Sequence, residues 1–416
     1  MSIYCCIDLK SFYASCECVE RNLDPFSVKL VVADKTRGNG AITLAATPAI
    51  KKLGVKSRGR LFEIPKNIEY MIVPPRMHLY MEYSCRIYKI FLKFVAKEDI
   101  HVYSIDEAFF DLTPYLKMYK CSAKTLARRI IDEVYKETGI TATCGIGTNL
   151  YLAKVALDIL SKHSKDNMGF LDEDIYKETL WHHKPLTDFW MVGPGIAKRL
   201  SKYGIFDMYG VSRVNSNLLY KEFGLTAEYL IDHSNGKEPI TIKDIKDYKS
   251  ISNSISNSQI LFEDYSTNNA FLILKEMVEL NTITLASNHL VTNNISLYIG
   301  YSKDIVKGSH GSQTMLNTTN SYPLILDEYK ILFKRIIKPN IPVRQIAISF
   351  NNVKDEFYEQ YNLFVDQDKI IKDRNIQITL SDIKNKFGKN SVLKAMNMLP
   401  KATTIKRNTL IGGHNA

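Results

Sequence analysis

Residues 100–113 read IHVYSIDEAFFDLT and set two adjacent acids, Asp106 and Glu107, between apolar runs. On a regular strand, neighbouring side chains point to opposite faces, so one of the two would be driven into a core. Strands through IHVYSI and AFFDL put the pair at a hairpin turn, where the alternation breaks and both side chains can converge. Two anions that close repel each other unless a cation neutralises them. An oxygen-rich site selects a hard divalent ion such as Mg²⁺ or Mn²⁺. A third carboxylate fits this pattern: Asp8 ends the apolar run IYCCI, where a lone charge is expensive to bury. Two metals on three carboxylates can clamp the attacking and leaving oxygens of a phosphoryl transfer. The spacing alone leaves plainer alternatives open, a strand-end turn residue for Asp8 and an exposed hairpin tip for the pair.

The chain has 416 residues, too many for one core, so several domains are expected. No apolar segment reaches the ~18 residues of a membrane span, and MSIYCCIDLK lacks the features of a signal peptide. A cytoplasmic protein with no membrane partner is expected. The net charge of +11 favours a polyanionic partner. The excess is concentrated: Lys35, Arg37, Lys51, Lys52, Lys56, Arg58, Arg60 and Lys66 face the single acid Glu63. Of the seven cysteines, Cys5 and Cys6 lie in the first strand and Cys16 and Cys18 in the helix after it. No His lies near them in sequence, so buried thiols are expected rather than a zinc site.

The pattern predicts strands at 2–9, 28–33 and 140–146 and helices at 11–21, 45–53, 78–95, 122–137 and 149–162. This is a mixed α+β core with an antiparallel element. Short helices joined by Gly and Pro follow over 170–235, then the charged segment 240–250, which reads as a linker. Strands and helices alternate over 251–352, and 353–416 has weak periodicity, as partial disorder would give.

CIDLKSFYASCE, LGVKS, YSIDEAFFDLT and CGIGTNLYLAKVALDILSK occur in this order. They resemble the Y-family DNA polymerases, the translesion enzymes, and look closest to the UmuC-like bacterial and phage subgroup. The resemblance implies an α+β right hand. Its palm would be 1–10 and 78–168, its fingers 11–77, its helical thumb 169–240, its linker 241–249, its little finger 250–352 and its tail 353–416. The implied metal ligands are Asp8, Asp106, Glu107 and the carbonyl of Leu9, for two Mg²⁺ ions with Mn²⁺ as an alternative. The implied reaction joins a dNTP to a primer 3′ end on template DNA. Tyr13 matches the aromatic gate beneath the sugar, with Phe12 beside it and both amides near the triphosphate. Lys154 matches a triphosphate-binding lysine, flanking the stripe Leu150, Ala153, Leu157, Leu160 so that it can face the cleft. Pro48 and Lys51 stand where many members have Tyr and Arg; Lys51 keeps a charge for phosphate without the bidentate fork.

Residues 188–211, DFWMVGPGIAKRLSKYGIFDMYGV, look like a helix-hairpin-helix. Gly193 and Gly195 would let the backbone turn sharply and approach a phosphate, helped by Lys198, Arg199 and Lys202. In EQYNLFVD, residues Gln360, Leu363 and Phe364 resemble the peptide that bacterial polymerases insert into the sliding clamp. A UmuD-like subunit is a further possible partner, and a monomer associated with the nucleoid is expected. The alternatives are another two-metal palm enzyme, such as a nucleotide cyclase, and a catalytically silent DNA- or clamp-binding protein.

Overall fold

The computed structural model describes residues 2–250, 253–302, 306–360 and 366–415. The chain divides into two compact units, residues 1–248 with 414–416 and residues 249–413.

The first unit is built on β1 (Tyr4–Leu9), whose run YCCI is buried on both faces, as a central strand requires. The chain continues through α1 (Phe12–Val19), β2 (Leu30–Ala33), β3 (Thr43–Ala46), α2 (Pro48–Lys51) and β4 (Met71–Val73). Then come α3 (Met77–Phe91), β5 (Ile100–Val102), β6 (Glu107–Asp111), α4 (Thr113–Tyr119), α5 (Ala123–Thr138), β7 (Ala142–Gly147), α6 (Leu150–Val155) and β8 (Met168–Leu171). The main sheet has the order β5-β6-β1-β7-β8, antiparallel except for β7 with β8. A separate sheet, β3-β2-β4, carries its own small core of Val31, Ala46, Ile50, Leu61 and Ile64. The helix expected over 45–53 is shorter: Thr43–Ala46 is a strand, and Pro48 opens α2 in the first turn, where its missing N–H would have no intrahelical partner.

Six helices complete this unit: α7 (Glu173–Leu180), α8 (Pro194–Ser201), α9 (Met208–Arg213), α10 (Ser216–Phe223), α11 (Thr226–Ser234) and α12 (Ile242–Asp247). The last of them falls in the segment expected to be a linker. It is a capped helix because Thr241 and Asp244 form a reciprocal capping box. Ile242 and Ile245, on one helical face, pack against Tyr4, Cys6 and Phe109 of the main sheet.

The second unit is a five-stranded antiparallel sheet in which β9 (Ile255–Tyr265), β10 (Leu290–Tyr301), β11 (Ser309–Thr319) and β12 (Val343–Asn351) run in the order β11-β10-β12-β9 and the short strand Lys354–Asp355 pairs with the start of β10. Helices α13 (Thr267–Ser287) and α14 (Tyr322–Ile336) cover one face through Ile273, Met277, Ile325 and Tyr329. The segment after 366 is ordered, which corrects the expectation of disorder. It forms α15 (Gln367–Phe387) and α16 (Thr404–Asn408) and satisfies Glu276, a carboxylate of α13 that is only 4% exposed. Asn397 Nδ2 (2.9 Å), Thr403 N–H (2.8 Å), Thr403 Oγ (3.1 Å) and Thr404 N–H (3.3 Å) all donate to it. The sequence period was weak because this segment is held by polar contacts more than by an apolar stripe.

Candidate active site

Strands β1 and β6 pair with Asp8 opposite Glu107, and the Leu9 N–H donates to the Asp106 carbonyl at 2.9 Å. The three acids therefore meet at one end of the central strand pair. The turn is longer than the sequence pattern suggested. Strand β5 stops at Val102, the N–H groups of Tyr103 and Ser104 both donate to the Glu107 carbonyl at 3.0 Å, and Glu107 opens β6. Asp106 lies in the bend, where Ser104 Oγ donates to its Oδ1 at 2.7 Å. Burial and then the negative charge of Asp106 push the Asp8 carboxyl up to about 7. Among the described residues, no three acid, His or Cys side chains are already closed around a common point.

Lys154 stands against Glu107. It is 7% exposed rather than open to a cleft, and its ammonium sits 2.8 Å from Glu107 and 3.0 Å from Asp158. Burial would lower its pKa, but the neighbouring Cys6, Glu107 and Asp158 raise it instead. The Cys6 thiol adds a second donor to Glu107 at 3.1 Å. Helix α6 comes this close because β7 carries glycines beneath it. A Cβ at Gly145 would lie 2.1 Å from the Ala153 carbonyl, and one at Gly147 would lie 2.3 Å from the Ala153 nitrogen. Lys162, two turns beyond Lys154, pairs with the other oxygen of Asp158 at 2.9 Å but keeps 46% of its side chain exposed. Its charge is felt by both Asp8 and Lys51, which brings it to the mouth of the acid cluster. Sequence reasoning missed it, although the row Lys154, Asp158, Lys162 at four-residue spacing on one helical face was the available signal.

Helix α1 begins at the same strand end. Ser11 takes the left-handed conformation (φ 50°), a strained choice for a residue other than glycine. Its hydroxyl accepts from Lys51 Nζ at 2.8 Å. The first turn of α1 has no side-chain cap, so its amides are free to bind an anion. Phe12 is buried, whereas Tyr13 is half-buried and stacks on Tyr80 with ring centroids 4.3 Å apart and planes at 14°. Burial and the charge of Asp106 raise the Tyr13 pKa while Arg58 pulls it down, so Tyr13 stands between the acids and the basic segment. Phe12, Tyr13, Lys51 and Lys154 are thus gathered around the three carboxylates.

The helix-hairpin-helix is formed by α8 and α9, with Gly193 as the cap of α8. Gly193 has an ordinary φ of −81°, and left-handed conformations occur instead at Met191 (67°) and Gly204 (74°). What Gly193 and Gly195 provide is bare backbone, since a Cβ at either would meet nothing within 4 Å. Lys198 and Lys202 are exposed. Arg199 is not a free DNA contact: it donates to the Glu222 carbonyl at 2.9 Å and lies over the Phe223 ring. Gln360 is exposed, and its backbone and side chain bond to Thr318 at 3.0 and 3.1 Å. Leu363 and Phe364 lie outside the described residues.

Residues 7–158 match the model of the impB/mucB/samB family, and residues 252–363 match that family's C-terminal domain. The chain is 33% identical to the "Putative UV-damage repair protein UvrX" of Bacillus subtilis (strain 168), over 99% of this chain and 97% of that protein. It is 26% identical to "DNA polymerase IV 2" of the same organism, over 98% and 97% of the two chains. Among solved structures, a Y-family DNA polymerase chimera, Dbh-Dpo4(243-245)-Dbh, superposes with a TM-score of 0.66 at 22% identity, covering 85% of this chain and 99% of the other.

Proposed function

The chain belongs to the impB/mucB/samB family, that of the Y-family DNA polymerases, and from that premise we propose that it adds dNTPs to a primer 3′ end on damaged or undamaged template DNA. The observation that carries the reading is the meeting of Asp8, Asp106 and Glu107 at the end of β1. The donor set fits a hard divalent cation: three half-buried carboxylates, one of them, Asp8, pushed up to about 7 by burial and by the charge of Asp106. Asp8, Asp106, Glu107 and the Leu9 carbonyl would hold Mg²⁺, two ions in our reading, with Mn²⁺ as a substitute. When bound, the metal lowers the barrier by neutralising charge on the attacking and leaving oxygens.

The protein's own groups do the rest. Lys154 pairs with Glu107 and keeps it aimed. Free amides at the start of α1, with Lys51 and Lys162, receive the triphosphate. Tyr13 lies beneath the sugar, where its ring excludes a ribose 2′-hydroxyl. In α8, Gly193, Gly195, Lys198 and Lys202 grip the duplex backbone without reading bases. The segment with Gln360, Leu363 and Phe364 tethers the enzyme to a sliding clamp, which offsets weak DNA grip. We read the protein as a monomer acting at the nucleoid, with a UmuD-like subunit as an optional partner. Among the described residues, no helix is long and apolar enough to cross a membrane. The relatives named as polymerases leave a nucleotide cyclase without support.

The test is extension of a primed template with dNTPs and Mg²⁺ or Mn²⁺, run beside the double variant Asp106→Ala, Glu107→Ala. Extension by the parent and none by the variant is expected. An inactive parent with every metal would reject the polymerase reading, and an active variant would reject the site.

A further inference from the structure

Glu17 is fully buried (0% exposed) and lies one helical turn after Tyr13, on the same face of α1. A carboxylate without partners could not persist there. Arg76 reaches it with both arms, Nε to Oε1 at 3.0 Å and Nη2 to Oε2 at 2.7 Å. Arg21, just past the end of α1, donates to Oε2 as well, and the Tyr80 hydroxyl donates to Oε1 at 2.7 Å. Burial alone would raise the Glu17 pKa, but the donors from Arg76, Tyr80 and Arg21 hold it below the usual range. Tyr80 is itself fully buried, and its ring is the one stacked on Tyr13. One turn on, Tyr83 OH bonds Glu20 at 2.8 Å, a second tie in the same register between α3 and α1.

An apolar side chain in place of Glu17 would fill the space without desolvating a charge. It could not hold a phenol hydroxyl at a set depth and angle. We propose that Glu17 is a positioning residue for sugar discrimination: by fixing the Tyr80 hydroxyl it fixes the ring that backs Tyr13, and so limits how far Tyr13 can yield to a 2′-hydroxyl. The inference rests on the reading of Tyr13 as the sugar gate. Arg76 and Arg21 serve it by keeping the carboxylate charged and its acceptor oxygens in place.

The experiment measures single-nucleotide incorporation of a dNTP and its matching ribonucleotide by the parent, Tyr13→Ala, Tyr80→Phe and Glu17→Gln, with thermal melting of each. Tyr80→Phe keeps the ring and deletes only the hydroxyl. Loss of that one hydrogen bond should lower the deoxy-to-ribo ratio of kcat/KM about fivefold while melting changes little. Glu17→Gln should lower the ratio in the same direction, and Tyr13→Ala should lower it most. An unchanged ratio in Tyr80→Phe, beside a Tyr13→Ala that admits ribonucleotides, would overturn the role of Glu17 and leave the gate standing. An unchanged ratio in Tyr13→Ala would overturn both. If Glu17→Gln does not fold, Tyr80→Phe decides the matter.

Discussion

Asp8 stands directly opposite Glu107 in the antiparallel ladder of β1 and β6, and the next amide along β1, that of Leu9, holds the carbonyl of Asp106. A slip of one residue in this register would send Asp8 to the other face of the sheet. That register is held on both sides of β1, by its ladders with β6 and with β7.

Asp8→Asn should separate activity from stability. It removes a charge from a cluster that already repels itself, so the metal-free protein should melt no lower than the parent. Primer extension should fall by about 10³-fold, equivalent to ~4 kcal/mol of barrier. Differential scanning calorimetry without added metal, paired with an extension assay, checks both halves. A variant that melts much lower would show that Asp8 is structural.

The two lysines of the row after β7 should behave differently. Lys154→Ala leaves Glu107 without its cation in a partly buried site and should destabilise the fold by about 2–3 kcal/mol as well as reducing turnover. Lys162→Ala removes a half-exposed cation and should raise KM for the dNTP with stability within about 0.5 kcal/mol of the parent. Urea unfolding and steady-state kinetics on the pair distinguish the roles. The reverse pattern would assign the triphosphate to Lys154.

Glu17 should leave a mark on acid unfolding. Its folded pKa is depressed, by donors from Arg76, Tyr80 and Arg21 acting against burial. The stability it contributes is therefore present above the unfolded carboxylate pKa and lost as pH falls through the lower folded value. In Glu17→Gln that titration is gone, so the curve of stability against pH should be flatter at its acid end. Urea midpoints measured from neutral pH down to about pH 3 test this, since an ordinary Glu titrates near 4.3. An acid limb as steep as the parent's would contradict it.

Glu276 should hold the end of the chain onto the second unit. Glu276→Ala leaves the donors of Asn397, Thr403 and Thr404 without their acceptor in a buried place, a loss of about 3 kcal/mol. Removing everything after Gly388 should produce a loss of the same order. Denaturant unfolding of the full-length parent, the point variant and the truncated chain compares them. Equal stability of all three would make the segment an unattached tail.

Much of this protein was determined by the sequence alone. The apolar runs and their acids located β1, β5, β6 and β7 of the main sheet but not its edge strand β8, the four motifs pointed to the family, and the basic stretch from Lys35 to Lys66 pointed to a polyanion. These are properties of neighbours in the chain, and periodicity and composition report them directly. Only the tertiary structure decided which distant residues meet. The register of β1 against β6 brings Asp8 to Glu107. The close seat of α6 on Gly145 and Gly147 turns Lys154 inward and leaves Lys162 outside. Glu17 is buried because α3 supplies Arg76 and Tyr80 from some sixty positions away. The segment after 366 is ordered because α13 offers it a buried carboxylate. In each case, burial and pairing depend on long-range packing, which no local pattern encodes.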